Sequence, residues 1–219
     1  MWSDFYVSAA VLCAVLMVPG YLALRAIGMA RTTSACCAPI VSTALIAALG
    51  QAYALAGVSS TPALVLGPLL VAGAAAALLA RGRVRAVASA GGPAWVPLVF
   101  LVLGVALSRS LFVTRLDDAA QLFQAYDLTH HLNTIQAFAD SGTFSSIGVG
   151  PYLTQADQAI APVSYASFYP SAYHVLCALV VQMTGVTVPV ILNSSMFVYT
   201  GVVFPLAMAA FLMAIFRGE

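Results

Sequence analysis

The sequence predicts an all-α transmembrane fold, with about six membrane-spanning helices and one long extramembrane loop. Three observations predict it. Hydrophobic residues make up 62% of the 219-residue chain and charged residues only 7%, against about 25% charged in an ordinary soluble domain. The mean hydropathy is +1.00, and the apolar residues gather in runs of about 20, the length that crosses a bilayer core. The polar exceptions are concentrated. Five of the seven acids (Asp117, Asp118, Asp127, Asp140, Asp157) and all three histidines (His130, His131, His174) fall within residues 117–174.

The apolar runs predict spans at about 5–27, 39–58, 61–80, 94–113, 169–185 and 188–216. The first lacks the basic flank of a cleavable signal and is expected to be a permanent span. It contains Pro19-Gly20, and the last contains Pro205. Both are tolerated in lipid because neighbouring helices satisfy the freed backbone groups. The last run is long enough to be tilted or kinked. Small-residue runs such as Ala74–Ala77 suit close helix contact in a membrane. The Arg-, Ala-, Ser- and Gly-rich stretch 81–93 divides a three-helix segment, residues 1–90, from the remainder, residues 91–219.

Arginine placement sets the expected orientation. There is no lysine. Arg25 and Arg31 follow the first span, and Arg81, Arg83 and Arg85 follow the third. Placing both loops in the cytoplasm puts the N-terminus and the 114–168 loop outside the cell membrane. With six spans Arg217 also lands outside, against the trend. A net charge of +1 without a basic cluster excludes a nucleic-acid footprint. Cys13 and Cys177 sit in apolar runs, and the adjacent Cys36 and Cys37 lack the second pair a zinc site needs.

A loop of more than 50 residues is far longer than an ordinary connection and is expected to be functional. Within it, Leu128, Leu132, Ile135 and Ala139 recur at helical spacing, so 127–142 reads as an amphipathic helix stopped by Ser141-Gly142. Its apolar stripe is expected to face lipid or the bundle. Asp127, His130, His131, Thr134 and Phe138 gather on another face. Asp127 and His131, one turn apart, can share a proton, bind a metal together or accept a proton from a substrate hydroxyl. Asp127 is equally suited to cap the helix. His130 and His131 point about 100° apart, so one metal held by both is disfavoured, and a zinc site would need His174 or another acid. Phe168-Tyr169-Pro170 leads into the fifth span, with Tyr169 and Tyr173 at the aromatic belt. His174, one turn in, is a functional-site candidate because ionisable groups are costly there. Arg109 and Arg115 are candidates for a lipid phosphate, or partners for Asp117 and Asp118.

The string Gln124-Ala125-Tyr126-Asp127, then His131-Leu132-Asn133 and Ile135, then Asp140-Ser141-Gly142 and Ser145-Ser146, resembles a group of large actinobacterial membrane proteins. Phe168-Tyr169-Pro170 with His174 is similar to a second signature of that group, and Asn193 and Pro205 to further positions. The group resembles the GT-C superfamily of glycosyltransferases, which use polyprenyl-phosphate-linked sugars and carry an acidic residue in their first large extracytoplasmic loop. The resemblance implies a GT-C-like partial core over 91–219. It makes Asp127 the base or acceptor-positioning carboxylate and His131 its partner. Asn133 and His174 would line the pocket, and His130, Tyr169, Arg109 and Arg115 are the other candidate substrate contacts. The implied partners are the bilayer and a lipid-linked sugar. No cofactor beyond that donor is implied, although a divalent metal is compatible. Three helices precede the helix leading into the loop, which the superfamily core lacks. The core's later helices are not in this sequence, so a missing C-terminal half or a partner chain is expected to complete any pocket. The competing expectations are a non-catalytic transport or assembly subunit, and a metal-handling protein using the three histidines.

Overall fold

A computed structural model of the chain describes residues 1–80, 92–122, 128–149 and 167–216. It is helical apart from one short ladder among the described residues. The helices are α1 (Trp2–Ala26), α2 (Arg31–Leu55), α3 (Pro62–Ala80), α4 (Trp95–Leu111), α5 (Leu128–Ser141), α6 (Ala172–Thr184), α7 (Val188–Val198) and α8 (Phe204–Ile215). A π-helical turn, Tyr199–Val203, joins α7 to α8, so 188–215 is one continuous rod. The ladder pairs β1 (Ile147–Val149) with β2 (Ser167–Phe168) antiparallel, Ile147 opposite Phe168.

Five helices are long and apolar enough to cross a membrane: α1, α2, α3, α4 with the turn that follows it, and the 188–215 rod. The fifth expected span is corrected. Its helix, α6, has only 13 residues, which at 1.5 Å per residue is about 20 Å, short of a hydrocarbon core of about 30 Å. Leu176, Cys177, Ala178, Leu179 and Val180 are nevertheless fully buried. The apolarity that mimics a span serves protein packing on every side of a short helix. Met213 lies against Gly92 near the end of the rod, and Thr184–Thr187 with Val190 borders a cavity with Met1, Asp4 and Val7 near its start. Arg217 lies outside the described residues.

α2 begins eight residues before the expected 39, because Pro39 is inside the helix and not at its start. Thr43 Oγ1 donates to the Pro39 carbonyl at 2.8 Å, tying the turn that follows the proline. Short connections make α1, α2 and α3 an alternating three-helix unit. Its tightest crossing sets Gly20 of α1 on Ala38 and Ser42 of α2, where the Gly20 amide donates to Ser42 Oγ at 2.7 Å. Small residues four apart let backbones meet in lipid, where packing replaces the hydrophobic drive. α1 and α2 also pack directly on α6 and the rod. Ser8 Oγ donates to Ser194 Oγ at 2.9 Å, with both side chains fully buried. α4 runs antiparallel to the rod: Gly104 meets Gly201 and Pro205, and Ser108 Oγ lies 2.7 Å from Thr200 Oγ1.

Candidate functional site

α5 forms where its periodicity predicts and stops at Gly142, whose φ of +67° is the left-handed value glycine adopts cheaply. The Ser60 amide donates to the Gly142 carbonyl at 2.7 Å, fastening the helix end to the α2–α3 turn. Thr134, Ile135, Ala137 and Phe138 are its buried residues, and Leu132 and Ala139 pack against the same core from half-buried positions. Ile135, Leu132 and Ala139 of the apolar stripe thus face the bundle, one of the two expected surroundings, and Thr134 and Phe138 of the neighbouring face are covered with them. Phe138 packs on the buried Phe144 ring at 6.0 Å. Burying a phenylalanine stabilises by about 1.5–3 kcal/mol.

The neighbouring face of α5 brings His131 to α6. His131 Nδ1 and His174 Nε2 share a hydrogen bond of 2.8 Å, and their rings stack at 5.0 Å and 19°. Gln182 Nε2 donates to the Ala139 carbonyl at 3.0 Å. Both links join residues 43 apart in sequence, eight positions separated on each helix, so α5 and α6 run parallel in constant register. His130 is half-buried, 4.5 Å from the Tyr169 ring and 6.1 Å from His174. Tyr173 lies 5.3 Å from His174 and 6.2 Å from His131. Its hydroxyl is 2.7 Å from Ser195 Oγ on α7. Burial pushes that hydroxyl upward in pKa, so it stays protonated.

A chain of polar contacts sets the start of α6. Gln51, four residues from the end of α2, accepts from the Ser146 amide at 2.8 Å. Ser146 Oγ is 2.8 Å from Ser171 Oγ, and its carbonyl accepts from the Tyr169 amide at 2.9 Å. Gln51, Ser146 and Ser171 thus fix where His174 begins its helix. None was singled out for this from the sequence. Their signal was that polar residues within or beside apolar runs must find partners. Asn193 acts similarly, donating to the carbonyls of Ala119 and Gln121 at 3.0 and 2.8 Å.

Of the expected site residues, His130, His131, Tyr169 and His174 are brought together. Asn133 is exposed on the outer side of α5. Arg109 and Arg115 are exposed at the end of α4, and no ion pair among the described residues joins either to Asp117 or Asp118. Asp118 instead accepts from the Ala120 amide at 2.7 Å, closing a local turn. Asp127 and the string 123–127 lie outside the described residues. Among those described, no group of three His, Cys, Asp or Glu side chains is arranged to hold a metal ion. His131 and His174 commit one nitrogen each to the other, so a metal taking either would have to break that bond.

His174 is 1% exposed, and α6 lies outside the membrane-crossing helices. Its imidazole is pushed down to about 4, by burial first and then by His131 and His130, with the Ser171 backbone opposing. An imidazole in the unfolded chain titrates near 6.5. Between about 4 and 6.5 the unfolded chain therefore binds a proton that the folded protein refuses. Stability falls as pH drops through that window and levels off below it. Thermal midpoints of the detergent-solubilised protein at pH 7.0 and 4.5, two conditions bracketing most of that window, should drop for the natural sequence and drop less for His174→Gln. Equal drops would refute this account.

The model of a family of unknown function, DUF6541, matches residues 13–219, and the chain belongs to that family. No curated protein and no solved structure matches it.

Proposed function

We propose that this member of the DUF6541 family carries the acceptor-activating part of a membrane glycosyltransferase of GT-C type. In this reading it transfers a sugar from a polyprenyl-phosphate donor to a cell-envelope acceptor on the extracytoplasmic side. The observation that carries the reading is the 2.8 Å bond between His131 Nδ1 and the buried His174 Nε2. His174 stays neutral at physiological pH and accepts from the Nδ1–H of His131. That tautomer leaves the His131 Nε2 lone pair free as a base. The acceptor hydroxyl gives its proton to Nε2 and its oxygen attacks the anomeric carbon. The bond from that carbon to the phosphate oxygen breaks, and polyprenyl phosphate leaves with the electron pair. A phosphate leaving group needs little help, so the protein supplies base, position and charge stabilisation.

The resemblance gives Asp127, next in sequence to the first described turn of α5, the part of base or acceptor-positioning carboxylate; with His131 as the base, Asp127 takes the positioning part. Radiolabelled polyprenyl-phosphate pentose and hexose, offered to membranes containing the protein, should label an envelope acceptor. Asp127→Asn should lose the label without losing membrane insertion, and undiminished labelling would sink this assignment.

The arginines favour a topology with the α1–α2 turn in the cytoplasm and α5 outside. In a variant with its four cysteines replaced by serine, a cysteine at Asn133 should react with a membrane-impermeant maleimide in intact cells. One at Arg31 should react only after lysis. The reverse pattern would invert the topology and exclude an extracytoplasmic site.

A further inference from the structure

We infer that the groove between α4 and the 188–215 rod binds one hydrocarbon chain of an anionic phospholipid, with the phosphate at Arg115. The groove has a volume of about 590 Å³, with Leu103, Leu107 and Leu111 on one wall and Phe204 and Met208 on the other. Gly104 lies against Gly201 and Pro205 at its floor, so the helices meet there and diverge on either side. The only hydroxyls in it, Ser108 and Thr200, already satisfy each other at 2.7 Å, and Thr200 also donates to the Met196 carbonyl at 2.7 Å. A lining without hydrogen-bond demand suits hydrocarbon and gives a polar ligand nothing.

Volume and charge select among apolar occupants. A 20-residue helix about 10 Å wide and 30 Å long fills about 2,400 Å³, roughly four times what the groove offers. A single chain fits where a helix does not. At the outer end, the Arg115 amide donates to the carbonyl of Phe112, which lines the groove. Arg115 thus stands one turn beyond the lining, exposed, and among the described residues its guanidinium has no ion pair. It offers a phosphate a cation at headgroup level. The π turn forms the wall behind the chain, and π turns inside helices frequently mark functional positions. Its Thr200 faces the groove, while the preceding Tyr199 packs on Tyr173 at 5.9 Å.

The test uses the full protein in nanodiscs of phosphatidylcholine doped with phosphatidylglycerol carrying a photoactivatable acyl chain. Crosslinked peptides, read by mass spectrometry, should concentrate on 100–112 and 200–208. α3, about as apolar as α4 and as little buried, serves as the internal reference helix. Leu107→Trp should fill the groove and cut α4 crosslinking several-fold. Arg115→Gln should leave the sites unchanged but remove the preference for phosphatidylglycerol over a phosphatidylcholine probe. Even labelling of α3 and α4 would overturn the inference. So would full competition by a polyprenyl phosphate at equal concentration, which would make the occupant an isoprenoid.

Discussion

On the proposed glycosyltransferase reading, His131→Asn is expected to lower sugar transfer by roughly 10²- to 10⁴-fold, the contribution typical of a positioned general base, while the protein stays inserted and folded. Asparagine keeps a polar contact toward His174 but cannot take the acceptor's proton. His174→Gln has a different signature. His174 touches no reacting atom and acts through His131, to which it is bonded at 2.8 Å. Its loss costs about 10- to 100-fold, the usual scale for a group that orients another ligand or base, and it shifts the acid limb of the pH–rate profile. His131→Asn should instead abolish that limb. Full activity of His131→Asn would end the role given to the histidine pair. A uniform loss in His174→Gln with an unmoved pH profile would reduce His174 to packing.

Gly20→Ala is expected to be the most damaging single-atom change in the membrane-spanning part. A Cβ at Gly20 would press into the Ala38 carbonyl oxygen and stand 2.7 Å from the Ser42 amide nitrogen. These are backbone atoms of the facing helix, so no side chain can turn aside, and α1 must lift from α2. The Gly20 amide bond to Ser42 Oγ, 2.7 Å, is lost with the approach. Overpacking of this kind costs about 1–3 kcal/mol or more, and the yield of monodisperse protein in detergent should fall with the thermal midpoint. Gly67→Ala in α3 is the control. Its Cβ would meet nothing within 4 Å, and alanine gains about 0.5–1 kcal/mol over glycine in a helix interior. An unchanged midpoint for Gly20→Ala would refute the close crossing.

The crossing helices were legible because lipid imposes a length and an apolarity that few other roles need. α3, α4 and the rod begin and end within two residues of the apolar runs at 61–80, 94–113 and 188–216. α1 begins three residues before its run at 5–27. α2 starts eight residues before its run at 39–58 because the more polar stretch 31–38 is helical too, with Pro39 inside the helix. α6 was misread for a deeper reason. A helix buried by protein and a helix buried by lipid carry the same side chains, and only the 13-residue length separates them.

The site divides along the same line. His130, His131, Tyr169 and His174 stood out as rare ionisable and aromatic groups in an apolar chain. Their convergence did not, since 43 residues separate His131 from His174. Periodicity gave α5 its apolar stripe, which packs on the core through Ile135, Leu132 and Ala139. Phe138 and Phe144 meet only after the chain has turned at Gly142, a contact between segments that helical spacing does not encode.

By itself the sequence determined that this chain carries several helices long and apolar enough to cross a membrane and gathers its histidines and most of its acids in one segment, because hydropathy and run length are local properties. The tertiary structure alone decided that the helix of the fifth apolar run is only 13 residues long and that the face of α5 beside its apolar stripe is covered as well. It alone paired His131 with His174 and left a groove beside α4. Each of these rests on contacts between residues far apart in the chain, where packing between helices selects among arrangements that local pattern leaves equal.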